Sequence, residues 1–193
     1  MDAGIFSAVF SFSSIFKNSD ETELAHTLYA ETILAARRPL FFNAGGVPDT
    51  TEGRFEMIAL TAFLVLQRLK KIDGTNDLSQ KYFDVMFSDI DSNLREMGVG
   101  DLSVGKKVKK LAESFYGRIK AYEAGLEADN NDQLTAALMR NVYRNTDVTQ
   151  ETGAKLATYV RHEAEHLARL DDKNFLDGTI TFADPGPAFG ANS

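Results

Sequence analysis

Residues 49–71, DTTEGRFEMIALTAFLVLQRLKK, decide the fold class. From Met57 to Leu66 every position except Thr61 is apolar, so no polar face is left for water. A helix of that kind must be covered on all sides, which places it in the middle of a bundle. The run is shorter than the roughly 20 apolar residues that span a bilayer. Its flanks show where it starts. Gly45-Gly46-Val47-Pro48 is a break, and Asp49-Thr50-Thr51-Glu52 has the spacing of a capping box with Asp49 at the cap.

Working outward, each neighbouring segment has the helical period. Upstream, Glu21 to Ala36 predicts a helix that Arg37-Arg38-Pro39 ends or kinks, because proline disfavours helical geometry at Arg38. Downstream, Leu78, Tyr82, Met86, Ile90, Leu94 and Met97 form one stripe, closed by Gly98-Val99-Gly100. Val104, Val108, Leu111, Phe115, Ile119, Tyr122 and Leu126 form the next. Helices over 132–144 and 149–170 complete the set. Ile180 to Phe182 reads as extended, and Pro185 to Ser193 as a mobile tail.

Six or seven helices joined by short loops predict an all-α, single-domain helical bundle. Its expected parts are an N-terminal amphipathic segment at 1–17, a helical core at 21–170 and an extended tail at 171–193. The first segment sets Ile5, Val9, Phe12 and Phe16 on one face and serines on the other. It suits either a membrane interface or docking on the bundle.

Composition narrows the function. The net charge of −7 argues against DNA binding. With no cysteine, thiolate metal sites, disulfides and cysteine nucleophiles are excluded together. Asp2 is the sole charge before Lys17 and no arginine precedes Arg37, so neither a secretory signal nor a transit peptide is expected.

Three motifs look catalytic and are read otherwise. His162-Glu163-Ala164-Glu165-His166 matches the zinc pattern in which two histidines one turn apart share the metal and the glutamate acts as base. No third Glu or His ligand follows it, and Glu165 is charged where such helices are buried. A solvated run of His, Glu and Arg making i,i+4 pairs is expected instead. Gly100 to Lys107 nearly spells a phosphate-binding loop, but Lys107 replaces the magnesium-binding Ser or Thr and a helix precedes it. A helix–helix turn capped by Ser103 is expected there. Asp84, Asp89 and Asp91 read as a solvated acidic face. No catalytic, cofactor or metal residue is singled out, and no cofactor is expected.

Two stretches are more particular. One is Ala36-Arg37-Arg38-Pro39-Leu40-Phe41-Phe42, continuing through Gly46-Val47-Pro48-Asp49-Thr50, Glu52-Gly53-Arg54-Phe55-Glu56 and Leu60 to Leu69. The other is Met97-Gly98-Val99-Gly100-Asp101-Leu102, Val104-Gly105-Lys106-Lys107-Val108-Lys109-Lys110 and Phe115-Tyr116-Gly117-Arg118. In this order, over roughly Thr27 to Asn145, the chain resembles the ubiquinol–cytochrome c chaperone family. Mitochondrial members often have a histidine and a tryptophan where this chain has Thr61 and Phe63. The chain looks like a bacterial relative.

The resemblance implies a non-catalytic assembly chaperone that binds newly made cytochrome b, or a similar membrane subunit, at the cytoplasmic face of the inner membrane. It also leaves room for a small partner subunit, self-association, and peripheral membrane or ribosome contact. Candidate partner-binding residues are Arg37, Arg38, Phe41 and Phe42, which combine aromatic area with guanidinium groups. Lys106, Lys107, Lys109 and Lys110 add a basic patch on an acidic chain. The rival functions are a membrane-surface adaptor and a zinc peptidase using His162, Glu163 and His166.

Overall fold

Helices carry the whole architecture of residues 19–190, the part of the chain that the computed structural model describes. The first, α1, spans Ser19–Ala36, and the short α2 (Pro39–Asn43) follows at the elbow expected from Arg37-Arg38-Pro39. Next come α3 (Thr51–Leu69), α4 (Asn76–Glu96), α5 (Asp101–Glu127), α6 (Asp132–Asn141) and α7 (Gln150–Arg169). Two short helices, α8 (Asp172–Leu176) and α9 (Gly186–Phe189), close the described chain. Six of these helices have ten residues or more, as the sequence led us to expect. The segment before Ser19 lies outside the described residues.

Centrality of α3 follows from its sequence: Met57 to Val65 are buried without interruption. Thr61 is accommodated because its hydroxyl donates to the Met57 carbonyl at 2.9 Å. Around it, α1 packs on α3 and α4, α5 on α4 and α6, and α7 on α3 and α6. Buried side chains from α1 to α8 and from Ile180 form one continuous apolar cluster. The α1–α4 seam is polar at two points inside that cluster. Thr32 and Tyr82 share a hydrogen bond of 2.7 Å, and the Tyr29 hydroxyl donates to Asp89 at 2.9 Å. Asp91 and Asp84 have partners one turn away within α4, Arg95 and Gln80, whereas Asp89, expected on a solvated acidic face, is drawn into the seam by Tyr29 of α1.

The start of α3 corrects the expected cap by one residue. Thr50, with extended backbone, accepts from the Gly53 N–H at 3.1 Å, whereas Asp49 pairs with Arg54. Glycine is required at 53, because a Cβ there would lie 2.0 Å from the Pro48 carbonyl oxygen. Ser103 is likewise no cap. Gly100 precedes α5 with extended backbone, and Ser103 already lies in the first turn.

The largest difference from expectation lies at the C-terminal end. Residues 171–190 are docked on the bundle. Asp171 caps α8 by accepting from Lys173 N–H, Phe175 is fully buried, and Ile180 and Ala183 are buried too. Arg68 of α3 fastens the start of this segment, pairing with Asp172 and covering the Phe175 ring. It also donates to the Leu167 and Leu170 carbonyls at the end of α7 at 3.1 Å each. Isolated apolar residues held through main-chain hydrogen bonds leave no periodic signal in a sequence.

Candidate functional site

Two motifs that looked unrelated in the sequence meet beside this C-terminal segment. The α1–α2 elbow supplies Arg38 and Phe41, and α7 supplies Tyr159, Glu163 and His166. Phe41 is buried, edge-on to Tyr159 at 5.1 Å and to Phe189 at 6.1 Å. Arg38, half-buried, donates to the Phe182 carbonyl at 3.1 Å and also to the Ala183 carbonyl. Their neighbours are more open: Phe42 is half-buried and Arg37 exposed. The expected contact motif therefore has an inward half and an outward half.

Glu163 is not on a solvated face; it is 0% exposed. One carboxyl oxygen accepts from the Tyr159 hydroxyl at 2.8 Å and from the Ala183 N–H at 3.0 Å. The other oxygen is buried without a partner. Burial pushes the carboxyl above the usual carboxylate range, against the pull of those two donors and of the Arg38 and His162 charges. His166 Nε2 lies 3.0 Å from the Thr181 carbonyl. Glu163 points into the bundle, where its carboxyl positions the main chain at Ala183. Among the described residues no three His, Asp or Glu are grouped to hold a metal.

The expected i,i+4 surface pairs reduce to Arg169 on Glu165 at 3.9 Å. Arg161 is drawn to the end of α5 instead. It donates to the Leu126, Gly125, Ala128 and Asn130 carbonyls and to the Asn131 side chain. Those carbonyls would otherwise be left unpaired at the helix terminus.

A second surface stands at the α4–α5 turn. Val104 is buried, and Lys106, Lys107, Lys109 and Lys110 are all exposed around it. The apex is apolar as well: Leu102 is 94% exposed and Met97 59%. Large exposed apolar side chains are common singly; two at one turn beside four lysines make a patch. The signal for Leu102 was readable, since it falls on the lysine side of the α5 stripe.

The two stretches that carry the resemblance are joined inside the molecule. Arg118 of α5 grips Glu56 of α3 with two nitrogens, Nε donating to Oε2 at 2.7 Å and Nη2 donating to Oε1. Its third nitrogen donates to Ser114. Both charged side chains are nearly buried, 13% and 11% exposed.

Comparison with known proteins agrees with this arrangement. The family described as ubiquinol-cytochrome C chaperone matches residues 43–182. A frog protein (Xenopus laevis) named ubiquinol-cytochrome-c reductase complex assembly factor 1 is 26% identical over 137 residues, covering 70% of this chain and 68% of that protein. The yeast (Saccharomyces cerevisiae) mitochondrial protein CBP3 is 26% identical over 166 residues, 82% of this chain and 48% of its own. The chain thus spans about half the length of the yeast relative. The crystal structure of the Cbp3 homolog from Brucella abortus superposes with a TM-score of 0.77 at 36% identity, covering 86% of this chain and 92% of that one. A match across most of the chain and a shared all-α architecture lead to one conclusion: this chain belongs to the ubiquinol–cytochrome c chaperone family.

Proposed function

We infer that this chain is a non-catalytic assembly chaperone for ubiquinol–cytochrome c reductase, with cytochrome b or a similar membrane subunit as its client. One observation carries the reading: the family match over residues 43–182 takes in α3, the α4–α5 turn with the whole of α5, and the docked C-terminal segment as far as Phe182. The relatives' names speak of assembly of that complex. Among the described residues no helix is long and apolar enough to cross a membrane, so the chain would meet its client from the surface.

The α4–α5 turn suits that position at the cytoplasmic face of the inner membrane. Leu102 and Met97 would enter the headgroup boundary while Lys106, Lys107, Lys109 and Lys110 face anionic lipid. Arg37 and Phe42 form the outward half of the elbow and are the residues there that a partner would touch. Small partner subunits, self-association and ribosome contact all fall within the scope of this surface.

Deleting the gene and tagging the full chain together test the reading. Loss of assembled reductase and of its b-type haem absorbance, with cytochrome b retained on the tagged chain in mild detergent, is the expected result. Normal reductase and no cytochrome b in the eluate would overturn it.

A further inference from the structure

Residues 179–184 cross the bundle as a strap with no helical structure of their own. Ile180 and Ala183 face inward, and Thr179, Thr181 and Asp184 face out. Almost everything polar that holds the strap reads its main chain. His166 meets the Thr181 carbonyl, Arg38 the Phe182 and Ala183 carbonyls, and Glu163 the Ala183 N–H. Such contacts ignore side-chain identity, and the inward positions ask only for apolar groups. Main-chain hydrogen bonds joined to apolar pockets are how proteins take up extended peptides in general.

The fit of the strap is incomplete. An open groove of about 300 Å³ runs beside it, lined by Glu31, Leu34, Ala35 and Arg38 together with the strap's own Ile180 and Phe182. Leu34 on its wall is 66% exposed. Glu163 keeps one buried oxygen that the strap leaves without a donor.

We propose that the cleft between the α1–α2 elbow and α7 is a binding site for an extended, uncharged apolar segment of a membrane protein, and that the strap is a resident stand-in which this segment displaces. The inference rests on the chaperone reading above and locates its client site. A membrane segment outside lipid has the required chemistry: apolar side chains and main-chain N–H and C=O groups with no partners. Release is built in. Once the segment winds into a helix, its own hydrogen bonds occupy those groups, and Arg38, Glu163 and His166 have nothing left to read.

The strap also sets the affinity. A site occupied by its own strap roughly 99% of the time binds a competitor about 100-fold more weakly than the open site does. The test uses the full chain and a fluorescent synthetic peptide, uncharged and rich in Leu, Ile and Phe, with solubilising lysines at its ends. Anisotropy reads binding, and hydrogen exchange reads residues 179–184. Saturating peptide should speed exchange in the strap. Ile180→Asp, which expels the strap and leaves Arg38, Glu163 and His166 intact, should tighten binding about ten-fold or more. Should that variant fail to fold, the chain ended after Gly178 replaces it.

No peptide binding, unchanged strap exchange, or equal affinity in the strap-weakened variant overturns the proposal. Cytochrome b retention by the unaltered chain separates the two levels. If it persists while the strap stays closed, this inference alone fails; if it is lost too, the chaperone reading fails with it.

Discussion

Glu56 and Glu163 are the same residue in nearly the same circumstance, and the molecule treats them differently. Both are buried carboxylates on long helices, 8% and 0% exposed. Glu56 has both oxygens engaged by one guanidinium, which is itself completed by Ser114. Glu163 has two donors crowded on one oxygen, none on the other, and no cation in contact. The first corner is closed, with both carboxylate oxygens engaged inside the bundle. The second is held by a strap that contributes a single main-chain N–H, a bond that any peptide could replace.

The comparison is easiest to break at the closed corner. Arg118→Met leaves Glu56 charged and alone, and should lower unfolding free energy by about 3–5 kcal/mol in urea titration. Adding Glu56→Leu should recover most of that loss, because the pair itself gains little over apolar packing. At the open corner, Glu163→Ala orphans the Tyr159 hydroxyl and the Ala183 N–H. A cost of about 1–3 kcal/mol is expected, read as faster hydrogen exchange confined to residues 179–184.

A smaller effect separates the corners by pH. The Glu163 carboxyl titrates above its ordinary range in the folded state, so the folded chain holds this proton more tightly than the unfolded one. Its contribution is complete below the ordinary carboxylate value and is lost as pH rises through the raised one. Strap protection should therefore be greater in mild acid than at neutral pH. Glu163→Gln should remove the Glu163 share of that dependence, with Tyr159, Arg38 and His162 around it and the His166 contact to the Thr181 carbonyl unchanged. Replacing Lys106, Lys107, Lys109 and Lys110 by Gln lies outside both corners. It should move stability by no more than about 0.5 kcal/mol per substitution, yet weaken binding to vesicles containing anionic lipid.

Reading the chain in one dimension reaches some of this and misses the rest for definite reasons. The stripes of α4 and α5 and the all-round apolarity of α3 are properties of spacing, and the helices stand where spacing puts them. The α3 cap slipped by one because Asp49 and Thr50 are both good caps, and only the path from Pro48 to Gly53 distinguishes them. Glu163 was legible and passed over. Leu156, Val160, Glu163 and Leu167 share one face of α7, so helical spacing alone makes the glutamate inward-facing. The Glu56–Arg118 bond was out of reach, since its halves lie 62 residues apart and no local pattern joins them. The strap was hidden for a related reason: six residues without a period look like a loose end until their main-chain partners are in view.

Arg161 gives α5 its end from 35 residues away. That distance imposes an order on biosynthesis. While α5 and α6 emerge, nothing within either one closes off the last carbonyls of α5, and Gly125 must still come within van der Waals contact of Leu134. The hairpin can be finished only after α7 arrives and its guanidinium slots among five waiting acceptors. A lysine there would bring a single point of charge to a fan-shaped receptor. The bundle's far corner is thus a late clasp, and a chain stalled short of residue 161 would keep a frayed α5 however well its earlier helices had assembled.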